Sequence, residues 1–252
     1  LIYTAASSRL TTDELQYIIG DCGARAYITS AHKAEQAAEL RDLMPNVELR
    51  LMLDATIDGY ESYESAVAEQ SPEPLDGRIA GTDMLYSSGT TGRPKGVLPA
   101  FTHQALEERV TGVTGMCQVL FGIDSSKVYL SPAPLYHSAP LRFSMGVHSL
   151  GGTLIVMEHF DPEQYLALIE QHHVSHSQVV PTMFVRLLKL DESIRAAYDT
   201  SSLRYVIHAA APCPIDVKRQ MIEWWGPIIN EFYAGSEGNG FYALNSAEAL
   251  AR

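Results

Sequence analysis

Across its 252 residues the sequence contains no apolar run long enough to cross a bilayer, and its first residues show no basic segment leading into an apolar one. No membrane-spanning segment or secretory leader is therefore expected here. Cysteine is scarce: Cys22, Cys117 and Cys213 are odd in number and widely spaced, and fit neither a disulfide framework nor a zinc pattern. A reducing cytoplasm is the compartment such usage suggests. Positive charge is scarce too. Eighteen Lys and Arg against thirty Asp and Glu leave a net charge of −12, which disfavours nucleic acid or an anionic membrane as partner. Internal repeats and low-complexity tracts are absent. What is there is ordinary globular material, 46% hydrophobic and 19% charged, enough to build a real core.

In so acidic a chain, an anion site has to concentrate its positive charge locally. One stretch does so: Tyr86-Ser87-Ser88-Gly89-Thr90-Thr91-Gly92-Arg93-Pro94-Lys95-Gly96. Glycines let a backbone turn sharply and approach a ligand, and successive N–H groups in such a loop form a concavity for an anion. Ser87, Ser88, Thr90 and Thr91 add hydroxyl donors, and Lys95 a mobile point charge. The bland reading is a solvated linker, but a linker has no need of a lone lysine set between Pro94 and Gly96. The expectation is a loop that cradles a polyphosphate. It is not a Walker A loop, in which Gly-Lys-Ser/Thr opens a helix; here Arg93-Pro94 separates Gly92 from Lys95.

Along the chain, Thr11 and Glu14 stand at capping-box spacing, predicting a helix to about Gly20. Strands are predicted at Arg25–Thr29, Val47–Leu53, Val128–Ser131, Thr153–Met157, Ser177–Val180, Arg204–His208 and Ile228–Tyr233. Helices are predicted after Ser30 to about Leu43, weakly over Glu61–Glu69, from Thr102 to about Leu120, after Pro140 to Leu150, and over Pro162–Gln171, Thr182–Leu190 and Ile215–Trp225. Residues 71–81, with Ser71-Pro-Glu-Pro-Leu-Asp-Gly77 at their start, read as a linker. Strands alternating with helices predict an α/β fold with mainly parallel sheets.

Two strand ends carry further candidates. After Ile228–Tyr233 comes Ala234-Gly235-Ser236-Glu237-Gly238: Tyr233 offers a flat ring for a purine, Ser236 a hydroxyl for a phosphate, and Glu237 a hard oxygen ligand for Mg²⁺. At His208-Ala-Ala-Ala-Pro-Cys-Pro214, small residues would let a flat base lie against the backbone, while Pro214 suits the start of the next helix. His172 and His176 share a four-residue spacing, but Val174 and the β-like run after it break any helix there, so they are not read as a metal site. Cys213, flanked by prolines, reads as structural.

Tyr86 to Val97 resembles, nearly letter for letter, the phosphate-loop signature of the adenylate-forming superfamily of acyl-CoA synthetases, luciferases and peptide-synthetase adenylation domains. The resemblance runs through the whole chain and includes Phe160-Asp-Pro-Glu163, Val180-Pro-Thr-Met-Phe184 and Trp224-Trp-Gly-Pro227. It implies that residues 1–252 are an internal part of the large N-terminal, AMP-binding domain. It implies ATP as substrate, with phosphates held by Ser87, Ser88, Gly89, Thr90, Thr91, Gly92 and Lys95. Adenine would be held by Ala209, Ala210, Ala211, Pro212 and Tyr233, and magnesium by Glu237 beside Ser236. Ala234 departs from the family's usual glycine. His137 matches an aromatic-histidine motif on the path to the acyl pocket, which implies a gating or positioning role.

The activity so implied joins a small carboxylic acid to coenzyme A through an acyl-adenylate. Relatives that activate amino acids carry an acidic residue just after the strand ending near Leu130. None occurs from Val128 to Leu150, and Leu141, Phe143, Met145, Gly146 and Val147 favour an apolar acid, a fatty acid foremost, which could bring the protein to a membrane surface peripherally. The rival readings are transfer of the acyl group to a carrier protein, and a nucleotide-binding homologue without catalysis.

Overall fold

The computed structural model describes residues 1–87, 93–100, 103–235 and 240–250. They form two compact units, Leu1–Arg109 and Val110–Arg252.

The first unit opens with β1 (Ile2–Tyr3) and α1 (Thr12–Asp21). The predicted capping box is formed: the Thr11 hydroxyl accepts from the Glu14 N–H, and the Glu14 carboxylate accepts from the Thr11 N–H at 2.8 Å. Then follow β2 (Ala26–Ser30), α2 (Ala34–Leu40), β3 (Leu49–Leu53), β4 (Glu61–Ser62) and α3 (Tyr63–Ala68). β2, β3 and β4 form a parallel sheet. On one face of it Met52 packs with Leu15 and Ile19 of α1, Ala37 and Leu40 of α2, and Tyr60. The helix expected after Ser30 is split into α2 with a short 3₁₀ turn at each end. Residues 71–81 hold no helix or strand beyond one bridge, Ile79 to Ala105. β5 (Thr82–Asp83) pairs with β1, and β6 (Leu85–Ser87) forms an antiparallel pair with β7 (Lys95–Val97).

The helix predicted from Thr102 is corrected by the structure. Its first part is committed elsewhere: the Ala80 N–H donates to the Gln104 carbonyl and the Leu106 N–H to the Arg78 carbonyl, both at 3.0 Å. Helix α4 (Gly112–Phe121) starts only where the Thr111 hydroxyl caps the Thr114 N–H.

From α4 the second unit continues through β8 (Val128–Ser131), α5 (Ser138–Ser149), β9 (Thr153–Val156), α6 (Pro162–His172), β10 (His176–Val179), α7 (Pro181–Leu188), α8 (Glu192–Ala196), β11 (Tyr205–His208), α9 (Ile215–Trp225), β12 (Ile229–Ala234), β13 (Phe241–Leu244) and α10 (Ser246–Leu250). Six strands stand in the order β13-β12-β11-β10-β8-β9, parallel except for β13 at the edge. Residues of alternate parity point to opposite faces. Leu130, Val206 and Ile229 pack under α6, α7 and α9, whereas Tyr129, Ile207 and Phe232 pack under α4 and α5. β8 lies between β9 and β10, so the strand order reverses beside it. In doubly wound sheets that reversal opens a crevice beyond the carboxyl ends of the strands.

Candidate functional site

In the first unit, β6 and β7 pair Ser87 with Lys95 and Tyr86 with Gly96. The chain thus returns as a strand where a Walker A loop would open a helix. Lys95 is exposed. Ser88, Gly89, Thr90, Thr91 and Gly92 lie outside the described residues. Gly96 has a use the sequence reading missed. A Cβ there would sit 2.3 Å from the Met84 methyl and 3.1 Å from the Tyr86 ring, so its bare backbone makes room for the hairpin's own side chains.

In the second unit, the carboxyl edge of one sheet gathers most of the other candidates. The turn beyond β8 leads to His137, which sits at the start of α5 with its ring 4.3 Å from that of Tyr136. His137 stays largely exposed, and what packing it has lowers its pKa below the ordinary value. Beyond β11, Ala209 is buried and its N–H donates to the Val179 carbonyl at 3.2 Å, while Ala210, Ala211 and Pro212 are exposed. Ala210 has φ +75°, a left-handed backbone that costs a residue with a Cβ about 1–2 kcal/mol and turns this row of small residues outward. The result is an open shelf of small residues at the end of β11. Tyr233, near the end of β12, is 75% exposed. Ala234 is extended and paired with Phe241, so the position asks for no glycine torsion. Ser236 and Glu237 lie outside the described residues.

Beneath the shelf is a group of charges the sequence reading did not assemble. His208 ends β11 fully buried, its ring 5.7 Å from Phe184, and neither ring nitrogen has a partner among the described residues. In register beside it, Glu231 of β12 pairs with Lys218 of α9 at 2.5 Å. Burial, and then the Lys218 charge, push the His208 pKa down to about 4, with Glu231 opposing. A histidine inside the apolar run Tyr205–His208 was the only sequence signal of this group. Burial likewise raises the Cys213 pKa, which suits a packing role.

Helix α5 does not bear out the apolar-pocket argument drawn from its sequence. Leu141, Phe143, Gly146 and Val147 are buried in the core, and only Met145 is open, at 49%. Their apolarity is explained by packing. The neighbouring histidines are separated by structure as well: His173 ends α6 with φ +49°, while the buried His176 bonds the Ser175 hydroxyl and the Phe121 carbonyl, each at 2.8 Å. Among the described residues, no group of His, Cys, Asp and Glu is arranged to hold a metal. No helix among them is long and apolar enough to cross a membrane.

Comparison with known proteins bears on the family and the fold. A 4-coumarate–CoA ligase of Oryza sativa subsp. japonica is 28% identical over 247 residues, covering 93% of this chain and 42% of its own length. A medium/long-chain fatty-acid–CoA ligase of Mycobacterium tuberculosis is 26% identical over 231 residues, covering 88% of this chain and 39% of its own. The chain thus spans about two fifths of the length of these relatives. The ATP-bound structure of MatB from Rhodopseudomonas palustris superposes with a TM-score of 0.73 at 24% identity, over 97% of this chain and 47% of that one, and so shares the fold. The pattern that defines the AMP-binding enzymes matches residues 1–251, and the chain belongs to that family.

Proposed function

We propose that the protein carrying this chain activates a hydrophobic carboxylic acid with ATP, forming an acyl-adenylate and pyrophosphate, and then transfers the acyl group to coenzyme A with release of AMP. The observation that carries this reading is the exposed Lys95 on the returning strand of a hairpin whose intervening sequence is Ser-Gly-Thr-Thr-Gly.

In the first step a carboxylate oxygen attacks the α-phosphorus of ATP and the bond to the pyrophosphate breaks. The obstacle is one anion approaching another. The nucleophile is already ionised, so no general base is needed; charge neutralisation and positioning do the work. Lys95, with the hydroxyls and N–H groups of Ser87 to Gly92, holds the β- and γ-phosphates. The exposed Ala210–Pro212 turn and the Tyr233 ring receive the adenine. Ser236 donates to the α-phosphate, and Glu237 is the residue that would hold Mg²⁺. Bound magnesium would draw charge off the phosphates. His137 gates or positions the acid. The relatives named above are ligases of 4-coumarate and of medium- and long-chain fatty acids, and the absence of Asp and Glu from Val128 to Leu150 suits either kind of acid. Three free cysteines suit the cytoplasm.

The test is acid-dependent exchange of pyrophosphate into ATP by the full-length protein, with fatty acids and hydroxycinnamic acids as separate arms. Lys95→Ala is expected to lose about 1.5–3 kcal/mol of transition-state binding, and Glu237→Gln to need more magnesium for the same rate. Unchanged ATP dependence in Lys95→Ala overturns the loop assignment. Absence of exchange with every acid points to a non-catalytic nucleotide binder, and adenylation without acyl-CoA formation points to another acceptor.

A further inference from the structure

The Lys95 hairpin is held from behind by one helix. Tyr17 and Asp21 stand four residues apart on α1, so they share a face, and each reaches one stem. The Tyr17 hydroxyl donates to the Pro94 carbonyl at 3.2 Å, immediately before Lys95. The Tyr86 hydroxyl donates to the Asp21 carboxylate at 2.5 Å, immediately before Ser87. Arg93 adds a third tie, its guanidinium 5.0 Å over the Tyr17 ring. Gly96 completes the arrangement by leaving space for the Tyr86 ring.

Two features show that these contacts are more than incidental packing. Asp21 occupies the last turn of α1, where no basic residue is present and a negative charge opposes the helix dipole. The helix itself gains nothing from an acid there, whereas Tyr86 gains a charge-assisted acceptor. Burial and the bond to Asp21 also hold the Tyr86 phenol well above its ordinary pKa, so it remains a donor through the working range.

We propose that Tyr17 and Asp21 are positioning residues for the phosphates of ATP, fixing the two stems of the hairpin that carries Ser87 and Lys95. The proposal rests on the phosphate-loop reading above. Ser87 and Lys95 stand on the two paired strands, so whatever fixes those strands fixes where these donors point. A small misplacement of such donors is costly to a reaction that depends on alignment.

The experiment compares Tyr17→Phe, Asp21→Asn and Lys95→Ala in the full-length protein. Both α1 changes preserve size, and Asp21 is exposed, so Asp21→Asn keeps the fold even where Tyr17→Phe weakens it. Each is expected to raise KM for ATP about threefold to tenfold while leaving KM for the acid unchanged. Tyr86→Phe should match Asp21→Asn, and the double variant should add nothing further. A wild-type KM for ATP in both α1 variants, with Lys95→Ala impaired, overturns the clamp and leaves the phosphate loop standing. Equal rises in KM for ATP and for the acid, with a lower melting temperature, overturn it as a merely structural contact. An unimpaired Lys95→Ala removes the phosphate-loop reading, and the clamp with it.

Discussion

His208 closes β11 directly beneath the Ala209–Pro212 shelf, with Lys218 of α9 and Glu231 of β12 beside it. Its ring is neutral in the folded protein down to about pH 4, whereas the unfolded chain takes up a proton near 6.5. Between those values the unfolded state binds more protons, so the contribution of His208 to stability is fully present above pH 6.5 and is lost as the pH drops toward 4. His208→Leu is expected to flatten the pH dependence of the urea midpoint between pH 6.5 and 4, whatever it does to absolute stability. An unchanged slope would show that His208 is not the group responsible. Residue by residue, legibility followed chemical distinctiveness. Lys95 stood out as a candidate because a lysine between a proline and a glycine, after a hydroxyl-rich stretch, has few structural uses. Tyr17 and Asp21 did not, since a tyrosine and an aspartate on a helix are ordinary until the fold brings Tyr86 and Pro94 to them.

At the scale of elements, local codes read well and long-range commitments did not. The capping box at Thr11, the proline start of α6, the start of α7 (expected at Thr182, found at Pro181) and the strands of the parallel sheet lie within a residue or two of their predicted places. The predicted helix from Thr102 failed because Gln104 and Leu106 give their backbone groups to Ala80 and Arg78, with Ala105 bridged to Ile79, a partner no local pattern names. Helix α5 failed as a guide to the acid for a similar reason. Its apolar residues meet α4, where a Cβ on Gly146 would stand 3.5 Å from the Cys117 sulfur and from the Thr114 Cα. That distance admits one methyl group and no more. Gly146→Ala should raise stability by up to about 1 kcal/mol through helix propensity, while Gly146→Leu should lower it by about 1–3 kcal/mol through overpacking. Urea midpoints of the two variants check the pair of signs; a tolerated leucine would mean that α4 and α5 are not tightly packed there.

For the whole molecule, burial is uneven. Val119 of α4 is 80% exposed, and Leu120 and Met145 are also open, although the two helices they belong to pack closely against each other. Exposed apolar side chains of this size invite association. Residues 1–252 produced alone are expected to self-associate at micromolar concentration, and Val119→Lys with Met145→Lys should reduce it. Light scattering that shows a monomer before any substitution would contradict this.

The sequence by itself determined the family and the α/β alternation, and singled out the candidate phosphate loop, because each is written in short-range patterns: motif spacing, hydrophobic period and capping residues. The tertiary structure alone decided which strands are neighbours and that His137, the alanine shelf and Tyr233 share one sheet edge. It also set the burial of His208 beside an ion pair and the backing of the Lys95 hairpin by α1. Those are contacts between residues tens of positions apart, Asp21 with Tyr86 and Tyr17 with Pro94 among them. Strand order and packing set such distances, and neither leaves a periodic trace in the chain.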